Sequence, residues 1–197
     1  MKDVSALASC AVLHTLKVLS CDGVMDVSAL GSCAALCTLD LANSERVRDL
    51  SGLEGCAELH TLGLSCCNHL TDISALADCA ALHTLDLSCQ MFGLPDLSAL
   101  AGCAKLRTIK LSESDDVIDL SFLAGFAALR TLDLTSCDNL TDVSALAGCA
   151  DLHTLHLSNC SVLKDISALG GCAALHTLRL AGTGVMDVSV LAGCTTL

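Results

Sequence analysis

The sequence predicts an α/β solenoid in which a parallel β-sheet forms a curved, concave face and short 3-10 or helical turns form the convex side. Three observations lead to this fold. An aspartate recurs every 22 to 24 residues, the apolar spacing changes within each period, and the 197 residues include no Trp, no Tyr and only three Phe. One such period cannot close a core, but stacked periods bury a continuous one. We therefore expect a single domain over residues 1–197, with eight full repeats and a partial ninth.

Each period divides into a turn and a strand. In one period Leu53, Cys56, Leu59 and Leu62 are three residues apart, as in a tight helical turn, and Leu64 follows two residues later, as in a strand. An Asp-x-Ser sequence then precedes the next turn, and we expect the serine side chain to cap that turn by accepting from free backbone N–H groups. The aspartate either shares this task or bonds to the backbone of the neighbouring repeat. The framework aspartates are Asp3, Asp26, Asp49, Asp72, Asp96, Asp119, Asp142, Asp165 and Asp187.

The residue pattern of the period resembles that of a known family. The string L-x-x-L-x-L-x-x-C-x-x-L over residues 59–70 resembles the leucine-rich repeat, and the following D-[VIL]-S-x-L-x-x-C resembles repeats of the internalin and phosphatase-regulator types. Those repeats carry Asp-Ile-x-Pro-Leu and a short 3-10 turn, whereas Ala145 stands in place of the Pro here. The residue pattern is more loosely similar to that of repetitive leucine-rich-repeat proteins of kinetoplastid protists. The resemblance covers residues 3–197 and implies a fold more than a function.

Composition and charge exclude several classes of protein. The longest stretch without a charged residue has 13 residues, which is too short for a membrane-spanning helix. The net charge of −12 is mostly architectural, because nine of the 22 acidic residues belong to the repeat framework and the remaining 13 face 10 basic residues. Nucleic-acid binding favours basic clusters, and the longest here is Lys105, Arg107 and Lys110. We expect neither a nucleic-acid partner nor membrane insertion, and without a signal peptide we expect a cytoplasmic protein.

The 15 cysteines predict reduced thiols that are mostly buried. They fall into three groups by their place in the repeat. Eight occupy the inward position before the strand, four occupy the place where many leucine-rich repeats have Asn, and three remain. The groups are Cys10, Cys33, Cys56, Cys79, Cys103, Cys149, Cys172 and Cys194; then Cys21, Cys67, Cys137 and Cys160; then Cys37, Cys66 and Cys89.

Two of these positions allow a sharper interpretation. Cys66 and Cys89 hold the same place in adjacent repeats, near Cys67 and His69, so a zinc site is conceivable. The dense C-x-x-C pattern of zinc modules is absent, so we expect no metal and favour an adventitious disulfide formed on storage in air.

A ladder of histidines precedes the strand threonines, at His14, His60, His83, His153 and His176. A catalytic histidine occurs once, with a nucleophile and an orienting partner, whereas this ladder recurs with the repeat. The sequence has no Ser/His/Asp set, P-loop or dinucleotide fingerprint. We expect no enzyme and no cofactor.

The position after each inward strand leucine varies along the repeats, whereas the outward threonine before it is constant. A varied column on a uniform scaffold is how solenoids carry specificity. The alternative is neutral drift on a solvated face. The column contains Lys17, Asp40, Gly63, Asp86, Lys110, Asp133, His156 and Arg179.

One repeat carries an additional residue and the only proline, within Cys89–Pro95. This predicts a bulged loop, in which Phe92 either anchors a partner or folds back over the irregularity. We expect a protein-interaction module that binds a protein partner through the concave face, using Phe92 and the charged column. The alternative is a structural spacer or scaffold within a larger assembly. Since apolar residues at both ends face nothing in this sequence, we expect end-to-end self-association or continuation in a longer chain.

Overall fold

The computed structural model describes residues 3–197, in which short strands alternate with 3-10 helices. The chain forms two compact units, the first ending at Leu106 and the second running from Arg107 to Leu197. No helix among the described residues is long and apolar enough to cross a membrane. The elements are η1 (Ser5–Ser9), β1 (Thr15–Lys17), η2 (Ser28–Ser32), β2 (Thr38–Asp40), η3 (Ser51–Leu53), β3 (Thr61–Gly63), η4 (Ser74–Asp78), β4 (Thr84–Asp86), η5 (Leu97–Gly102), β5 (Thr108–Lys110), η6 (Ser121–Leu123), β6 (Thr131–Asp133), η7 (Ser144–Gly148), β7 (Thr154–His156), η8 (Ser167–Gly171), β8 (Thr177–Arg179) and η9 (Ser189–Gly193).

Strands within each unit are parallel and pair in the register of the repeat. In the first unit β1 to β4 pair in chain order, so that Thr15 lies beside Thr38 and Thr38 beside Thr61. In the second unit β5 to β8 pair in the same way, with Thr131 beside Thr154. The predicted repeat architecture of parallel strands and short 3-10 turns is confirmed.

Leucine ladders form the core between the strands and the turns. In one repeat four leucines are 0 % exposed, namely Leu53, Leu59, Leu62 and Leu64. The equivalent leucines of the following repeat are buried to the same extent. Because each repeat offers an apolar stripe that it cannot bury by itself, the stack of neighbours provides the burial.

The aspartate, and not the serine, caps the turns, so the predicted role of the serine was wrong. Asp26 Oδ1 accepts a hydrogen bond from the Ser28 backbone N–H at 2.7 Å, and all nine framework aspartates make the equivalent contact. The serine is already part of the 3-10 helix. Its hydroxyl can therefore donate back to the aspartate, as Ser51 Oγ does to Asp49 Oδ1 at 2.7 Å. Such a carboxylate, two residues ahead of the N–H that it accepts, forms an Asx turn.

These hydrogen bonds favour the charged carboxylate. The Ser28 backbone N–H, followed by the Ser28 hydroxyl, lowers the pKa of Asp26 below 3.8. The same causes lower the pKa of Asp72, Asp96, Asp119, Asp165 and Asp187. A group whose pKa is lower in the folded state contributes stability at a pH above its unfolded value, and that contribution is lost as the pH falls through the folded value.

The double variant Asp72→Asn/Asp165→Asn should therefore lose less stability than the wild type between about pH 5 and about pH 3. An Asn carbonyl still accepts from the serine N–H but does not titrate in this range. Urea unfolding at a series of pH values measures the slope. Equal slopes for the two proteins would show that these carboxylates do not contribute to acid unfolding.

Cysteines serve the core in two ways. Seven of the eight inward cysteines are buried and Cys10 is half-buried. Six of the inward thiols donate to a leucine carbonyl of the preceding turn, as Cys56 Sγ does to Leu30 O at 3.3 Å. At the second position Cys67 Sγ donates to Leu41 O at 3.3 Å, and Ser44 Oγ makes the equivalent bond to Val18 O at 3.1 Å. A thiol or a hydroxyl thus serves as the donor at this turn.

We expect Cys67→Ser to fold with nearly wild-type stability and Cys67→Ala to lose about 1 kcal/mol, because only serine keeps a donor for Leu41 O. Urea unfolding of both variants measures the difference. Ser44 shows that a hydroxyl fits this column. A serine variant less stable than the alanine variant would contradict a hydrogen-bonding role.

Burial also controls thiol chemistry. Desolvation raises the pKa of Cys56, Cys67, Cys79, Cys103 and Cys172 to about 11, and that of Cys137 to about 12. A thiol with such a pKa holds very little nucleophilic thiolate at neutral pH.

Iodoacetamide near neutral pH should therefore label the five half-buried thiols first and the ten buried ones only after denaturation. The half-buried group is Cys10, Cys21, Cys37, Cys66 and Cys89. Peptide mass spectrometry over a time course measures the order. Rapid labelling of Cys67 or Cys137 in the folded protein would contradict the buried, hydrogen-bonded positions.

Candidate functional site

A repeated backbone feature shapes the exposed face of the strands. In the second unit the N–H groups of His153 and Thr154 both donate to Arg130 O, each at 2.9 Å. Two residues on one strand thus share one acceptor on its neighbour, as in a bulge. Both side chains remain accessible while Leu152 and Leu155 on either side are 0 % exposed. The three-residue leucine step thereby exposes two side chains at the start of each strand.

The first unit brings four of the variable positions into register. Lys17 pairs with Asp40, Asp40 with Gly63, and Gly63 with Asp86 along β1 to β4. A Cβ on Gly63 would lie 2.7 Å from Asp40 Oδ1, so the glycine gives this carboxylate room to lie across its strand. Asp40 Oδ1 also accepts from Ala42 N–H at 3.2 Å, which fixes its orientation.

The second unit aligns the other four variable positions. Lys110 pairs with Asp133, Asp133 with His156, and His156 with Arg179. His156 Nδ1 lies 3.6 Å from Asp133 Oδ2. Although burial opposes it, hydrogen bonds from Thr135 and the nearby His156 lower the pKa of Asp133, so this carboxylate stays charged.

A further column lies directly upstream of the threonines, and the sequence did not predict that it shares the exposed strand face. In the second unit it comprises Arg107, Arg130, His153 and His176, whose backbones bond in register from one repeat to the next. The rings of His153 and His176 stack with centroids 5.1 Å apart, as those of His60 and His83 do at 5.2 Å in the first unit. The sequence does contain a signal for this column. The inward leucines on either side of it are three residues apart, which leaves room for a second outward residue.

The histidines of this ladder are held by the backbone. His153 Nδ1 contacts Asp151 O, and His176 Nδ1 contacts Ala174 O at 2.6 Å. Because a carbonyl can only accept, each Nδ1 must carry a proton, which leaves Nε2 directed away from the backbone. The ladder therefore presents stacked rings and one polar nitrogen per ring.

The loop with the additional residue exposes its aromatic side chain. Phe92 is 72 % exposed and Met91 is 77 % exposed, so the loop does not fold back over the irregularity. Phe92 stacks on His69 of the preceding repeat with ring centroids 5.4 Å apart. The two rings line a cleft of about 330 Å³ that Arg48 and Pro95 also border. Phe92 lies in this cleft and not on β1 to β4.

Gln90 anchors the same loop. It takes the place that Cys67 has one repeat earlier, and its Nε2 donates to Leu64 O at 2.8 Å. The longer amide preserves the cross-repeat bond where the backbone accommodates the additional residue. Met91 N–H then donates to Asn68 Oδ1 at 2.9 Å, which ties the loop to the preceding repeat.

The structure does not assemble the cysteines and histidines into a metal centre. Among residues 3–197 no three His, Cys, Asp or Glu side chains are arranged to hold a metal ion. Cys66 and Cys89 occupy left-handed turn positions, with φ of 54° and 58°, whereas the Cys67 thiol points into the core.

Comparisons with known proteins agree with this architecture. A family model described as "Leucine Rich repeats (2 copies)" matches residues 127–171. No curated protein matches the chain. Of the solved structures, an internalin (inlF) of Listeria monocytogenes is 22 % identical with a TM-score of 0.67, over 100 % of this chain and 62 % of that one. The chain thus spans less than two thirds of that internalin.

Two receptor complexes are similar as well. The plant peptide hormone receptor RGFR1, solved with RGF2, is 15 % identical with a TM-score of 0.62, over 95 % of this chain and 35 % of that one. TLR13, solved with ssRNA13, is 20 % identical with a TM-score of 0.70, over 91 % of this chain and 26 % of that one. Taken with the register of the strands and the matched repeats, these likenesses show that the chain has the fold of a leucine-rich-repeat solenoid.

Proposed function

We propose that this chain is a non-catalytic protein-binding module and that its partner contacts the exposed strand face. The observation that carries the proposal is the contrast between two columns on that face. The threonine column is the same in every repeat, whereas the next outward position changes from Lys17 to Asp40, Gly63 and Asp86 within the first unit alone. A constant scaffold with one varied column supports selection for a specific contact.

The kind of ligand in the similar structures supports a macromolecular partner. RGFR1 was solved with RGF2 and TLR13 with ssRNA13. In this chain the strand face offers charges, hydroxyls and imidazoles, which suit a polar partner surface.

Binding at this face is expected to be weak and dependent on salt. The chain has neither Trp nor Tyr, the residues that most often dominate interface energies. Charged pairs set association rate and specificity more than affinity. A dissociation constant on the order of micromolar is therefore expected. Phe92, beside the Arg48 cleft, is the one exposed aromatic available as an anchor in the first unit.

We also propose a cytoplasmic location, because the core uses ten buried cysteines as hydrophobic residues and hydrogen-bond donors. Free thiols persist in reducing compartments.

The proposal is tested by affinity capture with matched charge reversals. The variant Lys17→Glu/Arg179→Glu changes the strand face of each unit once, and the control Arg46→Glu/Lys164→Glu makes the same charge change once in each unit at an exposed position off that face. We expect a partner that is captured by the wild type and the control to bind the strand-face variant at least about tenfold more weakly. Circular dichroism confirms that both variants fold.

Two outcomes would contradict this assignment. Loss of the partner only in the control would place the contact on another surface. Capture of the same proteins by all three forms would favour the alternative function, a structural spacer whose contacts lie outside the strand face.

A further inference from the structure

We propose that the strand face of the second unit binds an extended, acidic segment of a partner protein. This inference rests on the proposed function and specifies the chemistry of the partner. The surface consists of residues 107–110, 130–133, 153–156 and 176–179, and we call it the basic strand face.

Positive charge is concentrated on this face although the chain as a whole has a net charge of −12. Four of the five lysines and arginines of residues 107–197 lie on it, and Lys164 is the exception. Asp133 is the sole acidic residue on it, since the other nine acidic residues of residues 107–197 lie in turns and loops. The segregation of charge between strands and turns is what favours an anionic ligand at the strands.

Three arginines carry the attraction. Arg107, Arg130 and Arg179 are exposed, and within residues 3–197 the structure pairs none of their side chains with a carboxylate. Arg107 and Arg130 lie on adjacent parallel strands, about 4.8 Å apart. A guanidinium binds a carboxylate through two parallel hydrogen bonds, so two neighbouring arginines suit two carboxylates of one chain.

Asp133 reduces the positive electrostatic potential of the basic strand face only in part. Thr135 donates to its Oδ1 through the backbone N–H at 3.0 Å and the hydroxyl at 2.7 Å, and His156 lies at 3.6 Å on the other side. The carboxylate is thus occupied by its own neighbours. The stacked His153 and His176 rings extend the face beyond Arg130, and since Nδ1 donates to the backbone, Nε2 accepts hydrogen bonds from N–H groups of the same segment.

The remaining charges favour a short protein segment over a nucleic acid. A long polyanion would extend past the basic strand face into the acidic turns, where repulsion acts within a Debye length of about 8 Å. Single-stranded nucleic acids also favour Trp, Tyr or Phe as platforms for base stacking, and the basic strand face has none of these three residues. Since about six extended residues span four strands, a segment of that length stays on the face.

The experiment measures fluorescence anisotropy of a labelled peptide of about eight residues with alternating Glu and Ser, binding to the full chain. Arg130→Glu tests the face, and Lys164→Glu is the matched control with the same charge change in the same unit. We expect micromolar binding by the wild type, at least about tenfold weaker binding by Arg130→Glu, and little change for Lys164→Glu. Asp133→Asn, which keeps an acceptor for Thr135, should bind about twofold more tightly.

Equal weakening by Arg130→Glu and Lys164→Glu would overturn the proposal, because it would show that net charge alone attracts the peptide. No binding by the wild type would overturn it as well. A single-stranded RNA of equal charge that binds more tightly than the peptide, with the same dependence on Arg130, would assign the face to nucleic acid. If a captured partner requires Arg179 but the acidic peptide fails to bind, the proposed function stands and only the acidic chemistry is wrong.

Discussion

Stacking of each repeat on its neighbour is the interaction on which this structure depends. A single repeat has a three-residue strand and a turn of three to six residues, neither of which is stable in isolation. Their leucines reach 0 % exposure only because the adjacent repeats cover them. Hydrogen bonds from Cys56 and Cys67 to carbonyls of the preceding repeat reinforce the same stacking.

This dependence explains the choice of core residues. The same Leu and Cys positions recur in every repeat, so one layer of side chains packs on the next without local adjustment. An aromatic ring would require room in the neighbouring layers. Accordingly, Phe replaces the inward cysteine at one position alone, Phe126. The buried cysteines are structural, since burial raises the pKa of thiols such as Cys56 and Cys137 and leaves them little thiolate at neutral pH.

The same geometry creates the exposed face. Since two consecutive N–H groups share one carbonyl, each strand starts with two outward residues in place of one. The backbone is fixed by stacking, so these positions can vary without cost to the core. Charge has accordingly separated in the second unit, with arginines on the strands and carboxylates in the turns, where Asp142 and Asp165 cap the helices.

The sequence by itself determined the repeat, the inward ladder and the cysteine positions, because these follow from spacing alone. It also predicted the varied column and a bulged loop at Phe92, but it left open whether that ring is exposed or folds back over the irregularity. It did not determine which side chain caps the turn: Asp26 and Ser28 can each accept from an N–H, and only the backbone path shows that Ser28 is already inside the helix. Likewise, only the tertiary structure placed Arg130 and His153 on the exposed strand face. Their outward direction depends on a shared hydrogen-bond acceptor in the neighbouring repeat, a contact between residues 23 positions apart that leaves no mark in either residue's own sequence neighbourhood.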